Sequence, residues 1–352
     1  MSMDTDYERA SSREDRVAEF APHRRGTLAR VQHALHVTPA LVPLIVLVAA
    51  IAVFGLLLGG RFFSPFALTL ILQQVQIVGI VAMAQALVVL TAGIDLSVGA
   101  IMVLSSVVMG QLTFRYGIPP MLGIPIGLMV GTACGFLNGF LVAVMRLPPF
   151  IVTLGTWQIL LATNFLYSAN ETIRAQDIAE RAPALQFPGA RFELGGAVIN
   201  VGVIFMIALA IVLAYVLRQT AWGRHVYATG DDPEAAKLAG VNVRRTLISV
   251  YMLSGLICAF AGWALIGRIG SVSPTSGQLA NIESITAVVI GGISLFGGRG
   301  SIAGALFGAL IVGVFTLGLR LAGADAQWTY LLIGALIIGA VAVDQWIRKV
   351  AA

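Results

Sequence analysis

Long apolar stretches alternate with short polar segments over most of this sequence. An α-helix needs about 20 apolar residues to cross the hydrocarbon core of a bilayer. Stretches of about that kind lie near 41–59, 66–90, 95–111, 121–144, 149–168, 198–217, 246–267, 282–296, 302–321 and 327–346. The pattern predicts an all-α polytopic membrane protein with about ten transmembrane helices. Because 66–90 contains polar residues and 282–296 is short, the count could differ by one or two.

Composition supports a membrane protein and excludes several other classes. Hydrophobic residues make up 58% of the chain and charged residues 11%, whereas a soluble domain carries about 25% charged residues. A soluble enzyme of this size could not cover its surface with so few charges. The net charge of +5 could suggest nucleic-acid binding, but the basic residues follow the predicted membrane topology, so we expect no nucleic-acid partner.

The distribution of basic residues predicts the orientation of the helices. The first 40 residues form a polar basic tail, followed by a transmembrane domain over 41–349. With this tail in the cytoplasm, the larger share of the 22 Lys and Arg residues falls on the cytoplasmic side, as membrane proteins prefer. An even number of helices places both termini in the cytoplasm. The longest external loop is then 169–197, whose charges could serve for docking, and the longest cytoplasmic loop is 218–245.

Side chains that would indicate an enzyme are not grouped in the sequence. We find no Walker-type phosphate loop, no paired carboxylates and no His cluster. Cys134 and Cys258 lie in apolar stretches without metal-ligand spacing, as small buried hydrophobes do. We therefore predict no catalytic residue, no metal site and no cofactor bound by this chain.

The cytoplasmic loop contains a short helix with signals at both ends. Asp231 or Asp232 can cap its start, and Gly240 suits its end. A helix this short is not stable alone, so it packs either on its own membrane domain or into a groove of a cytoplasmic partner. The residues expected to contact such a partner are Asp232, Pro233, Glu234, Ala235, Ala236 and Gly240.

Polar residues within the predicted spans are candidates for a translocation path. Such side chains turn inward, either to bond neighbouring helices or to face an aqueous route. The candidates are Gln76, Gln85, Asp95, Trp157, Gln158 and Asn164. Asp95 is a helix cap, an ion site or part of an inner gate, and the cap is favoured. The same alternatives apply to Glu283, for which a cap near the external edge is again favoured.

Four segments resemble one family of transport proteins. Glu234-Ala235-Ala236 with Gly240 is similar to the EAA loop of bacterial ABC importer permeases. Thr91–Gly99, Pro149–Thr156 and Ala287–Ser301 resemble the permeases of the ribose/monosaccharide group within the ribose/branched-chain amino acid family. The likeness covers nearly everything from Leu41 onward, and the order of the three long motifs makes it specific.

The resemblance implies a permease subunit of the bacterial inner membrane that moves a monosaccharide inward. It implies three protein partners: an ABC ATPase that binds ATP and Mg²⁺, a periplasmic sugar-binding protein and a second permease copy. Asn164–Gln176 is similar to fructose-importing members, so fructose is favoured over ribose or mannose. Alternatives are a permease for a branched-chain amino acid and an ion-coupled secondary transporter. The near absence of ionisable residues within the spans argues against ion coupling.

Overall fold

The structure, a computed structural model, describes residues 40–277 and 279–351, so the predicted tail lies outside the described residues except for Ala40. The helices in chain order are α1 (Leu41–Leu58), α2 (Pro65–Leu90), α3 (Val98–Phe114), α4 (Pro120–Ala143), α5 (Pro149–Ser168), α6 (Ala175–Arg181), α7 (Val201–Gln219), α8 (Ala221–Asp231), α9 (Pro233–Leu238), α10 (Val243–Ile269), α11 (Ala280–Ile290), α12 (Ile302–Leu321) and α13 (Ala326–Ala351). Short 3₁₀ segments cover Gly59–Arg61 and Pro183–Gly189.

Each apolar stretch predicted from the sequence corresponds to a helix. Within the described ranges, seven helices are long and apolar enough to cross a membrane. The shorter apolar helices are α3, α11 and the part of α13 over Gln327–Ala342. Together they bear out the prediction of about ten apolar helices, whereas the cytoplasmic location of the termini stays a prediction.

Two predicted boundaries are wrong because helices break inside apolar sequence. The stretch 95–111 becomes helical only at Val98, and the stretch 282–296 stops being helical at Ile290. Each preceding helix ends in a left-handed residue, Ala92 with φ of 60° and Gly292 with φ of 72°. This reversal is the usual way to satisfy the last carbonyl groups of a helix. We call 91–97 and 291–301 the two breaks.

The segment between α5 and α7 is folded rather than a simple loop. After α6, strand β1 (Arg191–Leu194) pairs antiparallel with β2 (Ala197–Asn200). An isolated bridge between Ile173 and Val272 attaches this segment to the chain that follows α10. We call the end of the bundle that carries the strands the hairpin end. The helices α8 and α9 follow the 19-residue helix α7, which places them about 28 Å away at the opposite end, the basic end.

The centre of the bundle is α10, which packs against α2, α3 and α4. Glycines allow α4 and α10 to touch through their backbones: a β-carbon at Gly135 would overlap the Tyr251 carbonyl oxygen, and one at Gly255 would overlap that of Gly131. The glycines of α4 therefore serve packing, because small residues let membrane helices approach closely.

We expect Gly135→Ala to lower the stability of the protein by about 2 kcal/mol, because the added methyl group must push α4 away from α10. Gly155→Ala is the matched control, since Gly155 lies in helix α5 with no heavy atom within 4 Å of its built β-carbon. Thermal unfolding of both variants in detergent measures the difference. Equal midpoints for the two variants would contradict the backbone contact.

Candidate coupling helix and translocation cavity

The helix predicted in the long basic loop is present as α9. Asp232, not Asp231, caps it: its Oδ1 atom accepts hydrogen bonds from the backbone N–H groups of Glu234 at 2.9 Å and Ala235 at 3.0 Å. Pro233 occupies the first helical position, where its missing N–H group costs nothing. The cap defines where α9 starts although the helix has only six residues.

The surface of α9 is almost entirely exposed. Only Ala236 is buried among its residues, while Glu234 and Lys237 are exposed and Leu238 is 90% exposed. Gly240 turns the chain away with φ of 87°, a value that favours glycine. Leu238 and the two charged residues of α9 therefore lie on the surface of the bundle and not in its core.

The helix α8 joins α9 to both breaks. The Gly298 N–H group donates to the Leu90 carbonyl oxygen at 3.0 Å, and a β-carbon at Gly230 of α8 would overlap that same oxygen. The Tyr227 hydroxyl donates to the Gly300 carbonyl oxygen at 2.9 Å. The end of α2, the break after α11 and the C-terminal half of α8 therefore form one junction at the basic end.

Asp95 braces the first break from within. Its Oδ1 atom accepts from the Ser97 N–H group at 2.7 Å and from the Ser97 hydroxyl at 2.6 Å, and Asn138 Nδ2 of α4 donates to that hydroxyl at 2.8 Å. With its amide oriented for hydrogen bonding, Gln85 donates to the Asp95 carbonyl oxygen at 2.9 Å. Asp95 thus closes a turn with Ser97 before α3. The prediction that Asp95 caps a helix starting at Leu96 is wrong, because α3 begins only at Val98 and its N-cap residue Ser97 makes no side-chain cap hydrogen bond.

A cavity of about 480 Å³ lies between α3, α5, α11 and the chain before α11. We call it the Trp157 cavity. Asn164 Nδ2 donates to the Pro274 carbonyl oxygen at 2.8 Å, and Asn281 Oδ1 accepts from the Gly99 N–H group. Its wall is formed by Leu96, Gly99, Ala100, Val103, Trp157, Leu161, Asn164, Pro274, Ser276, Gly277, Leu279, Asn281, Ile282 and Ile285. The cavity is mostly apolar with a few amide and hydroxyl groups, as small-molecule sites are.

The structure brings two of the predicted path residues, Trp157 and Asn164, to this cavity, while the other four lie elsewhere. Gln76 is fully buried beside Gly202 of α7, and neither of its amide atoms has a hydrogen-bond partner among the described residues. Gln85 and Asp95 are buried at the first break, and Gln158 is exposed on α5. Their assignment to the path stays a prediction that none of these contacts supports.

Two cavity residues, Asn281 and Ser276, were not among the residues predicted to line the path. Asn281 lies in the first turn of α11, two positions before Glu283. Its signal in the sequence is a polar residue at the start of an apolar run, which a helix cap also explains. The sequence alone does not distinguish a helix cap from a cavity-lining residue. The fold does, because it brings α11 next to α3 and places Asn281 at the cavity.

Apolar helices, an exposed capped helix at the basic end and an internal cavity define a polytopic membrane transport protein. The chain belongs to the family described as the permease component of the branched-chain amino acid transport system, whose profile matches residues 67–341.

Sugar permeases are among its relatives. The chain is 73% identical over 336 residues to the fructose import permease protein FrcC of Rhizobium meliloti, covering 96% of this chain and 93% of that protein. It is 35% identical to the ribose import permease protein RbsC of Bacillus subtilis, covering 82% and 88%. It is 33% identical to the D-allose transport system permease protein AlsC of Escherichia coli, covering 86% and 91%. No solved structure matches the chain.

We expect Asp95→Ala to lower the free energy of unfolding by about 2 kcal/mol, because the Ser97 N–H group loses its buried acceptor. Asp95→Asn keeps an acceptor oxygen for that turn and is expected to retain most of the stability. The unfolding midpoints of the two purified variants measure the difference. If Asp95→Asn is as unstable as Asp95→Ala, the stability depends on the negative charge of Asp95 and not on its hydrogen bond to the Ser97 N–H group.

Proposed function

We propose that this chain is the membrane-spanning subunit of an ABC importer that moves a monosaccharide into the cytoplasm across the bacterial inner membrane. The observation that carries the proposal is the exposed helix α9, which α8 connects to both breaks. A helix that only covered its own bundle would bury more than Ala236.

Fructose is the sugar that we favour. The relative named as a fructose import permease is 73% identical over nearly the whole chain, whereas the ribose and D-allose permeases are 35% and 33% identical. The sugar names of these relatives also disfavour a branched-chain amino acid as the cargo, although the family description mentions one.

The partners follow from the same proposal. A separate ATPase subunit binds ATP and Mg²⁺ and docks at α9, and a sugar-binding protein delivers the substrate to the hairpin end. There, Glu171, Asp177, Glu180 and Glu193 are exposed. A second copy of the chain completes the path, and lipid surrounds the exposed apolar faces. This subunit itself holds no cofactor and performs no hydrolysis.

The contacts at the basic end suggest how ATP drives transport. The helix α11 lines the Trp157 cavity with Asn281, Ile282 and Ile285 and continues into the break that touches α8 through Gly300. The break after α2 leads to Leu96 and Gly99 on the opposite wall. Closure of the ATPase subunits moves α9 and α8 and thereby shifts both walls. The bundle needs to hold sugar only weakly, because ATP supplies the bias between the two states.

We expect Glu234→Lys and Leu238→Asp to weaken ATPase binding at least tenfold, because they place a wrong charge or a desolvated carboxylate at the docking surface. Co-purification of the ATPase subunit and ATP-dependent sugar uptake should fall together. Glu180→Lys, a charge reversal at the hairpin end, is the control that should leave ATPase co-purification intact. Wild-type uptake by both α9 variants would exclude α9 as the coupling element.

A further inference from the structure

A second cavity, of about 520 Å³, lies at the hairpin end between α2, α11, α12 and α13. We call it the Glu283 cavity. In contrast to the Trp157 cavity, its wall carries charged groups. Its polar lining consists of Gln74, Glu283, Thr286, Thr316, Arg320, Asp325, Thr329 and Tyr330.

We propose that the Glu283 cavity is a sugar-binding subsite, which receives a neutral monosaccharide at the hairpin end before the sugar reaches the Trp157 cavity. The proposal rests on the proposed function for its substrate class. It concerns residues that lie outside every motif and path assignment made from the sequence, where Glu283 was interpreted as a helix cap.

The charged groups of this cavity have unused hydrogen-bonding capacity. Among the described residues, no side-chain hydrogen bond involves Glu283, Arg320 or Asp325. Gln74 accepts one bond, from Arg268 at 2.8 Å through its Oε1 atom, so its NH₂ group remains available as a donor. Glu283 is half-buried in the first turn of α11.

The balance of charges favours a neutral ligand. Two carboxylates, Glu283 and Asp325, face the cavity together with the guanidinium group of Arg320. Arg268 lines an adjoining cavity of about 370 Å³, which also contains Glu283 and Gln74. With two acidic and two basic groups around the space, neither an anion nor a cation is preferred. Carboxylates and guanidinium groups bind neighbouring hydroxyl groups well, as acceptors and donors respectively.

The remaining lining also suits a sugar. The Thr286 and Thr316 hydroxyls donate to backbone carbonyl oxygens at 2.7 Å each, so they offer only acceptor lone pairs to the cavity. Tyr330 contributes an aromatic ring with a polar tip, which can cover the C–H face of a sugar ring. The volume lies within the range of about 300–1,000 Å³ that small-molecule sites have.

The two cavities adjoin each other at the start of α11. Leu279 and Ile282, at the start of α11, line both of them. A sugar in the Glu283 cavity is therefore separated from the Trp157 cavity by the side chains of these two residues. Since α11 also reaches the junction at the basic end, its movement changes this partition.

The test is saturation-transfer NMR with D-fructose and the full-length permease in lipid nanodiscs, without ATPase or ATP. We expect Glu283→Gln and Tyr330→Leu each to reduce the fructose signal about tenfold, the loss typical of one hydrogen bond to a charged group or of a removed sugar contact. Tyr330→Phe keeps the ring, and Arg61→Gln removes an exposed charge before α2 that lines neither cavity; both should keep the signal. A fructose phosphate should compete poorly.

Wild-type signals from both Glu283→Gln and Tyr330→Leu, or stronger competition by the phosphate than by fructose, would overturn the proposal. Folding of each variant is checked by its unfolding midpoint, and if Glu283→Gln fails to fold, Asp325→Asn at the exposed rim decides in its place. The outcome is independent of import. Binding at this site without import by the complete complex would contradict the proposed function only, whereas import with no effect of these variants on binding would contradict the subsite only.

Discussion

Backbone groups inside a bilayer find no water, so every interruption of a membrane helix must be satisfied by other parts of the protein. This structure interrupts its apolar helices twice. Side chains of Asp95 and Gln85 form hydrogen bonds within the first break, and α2 and α8 form hydrogen bonds with the second. Leu90, the last residue of α2, accepts from Gly298 in the second break, and the Tyr227 hydroxyl of α8 donates to Gly300 there. The second break therefore contacts both α8 and the end of α2, after which the first break begins.

The consequences of this junction run in two directions. At the basic end, α9 is exposed because Ala236 is the one residue of this helix that is buried against the bundle. Toward the hairpin end, α3 begins after the first break and α11 ends at the second, and both helices line the Trp157 cavity. The glycines of α4 and α10 bring these two helices into backbone contact at the centre of the bundle.

The helices could be predicted from the sequence, but the direction in which each side chain points could not. Apolar length predicts ten helices because each span must satisfy its own backbone, and the cap residues around α9 act locally, so both could be predicted. The break after Ile290 was missed because Gly291 and Gly292 are compatible with an apolar run and only the left-handed φ of Gly292 ends the helix. The hairpin was missed because four-residue strands carry little pattern.

The path residues show the same limit. Gln76 and Trp157 are equally plausible by residue type, but the direction in which each side chain points depends on how the helices pack. Trp157 faces a cavity and Gln76 faces α7, as contacts between distant parts of the chain determine. The prediction that Glu283 caps a helix is wrong, because Leu279 is the N-cap residue of α11 and no side-chain cap hydrogen bond is present. Glu283 instead lines a cavity to which α12 and α13 contribute Arg320 and Asp325.

The central claim is that this bundle transports sugar only when an ATPase drives the junction at the basic end. The most direct measurement is accumulation of labelled fructose in liposomes that contain the purified permease, with and without its ATPase subunit, binding protein and ATP. The account predicts no accumulation by the permease alone and concentrative uptake by the complete system. Concentrative uptake by the permease alone, driven by an ion gradient, would contradict it.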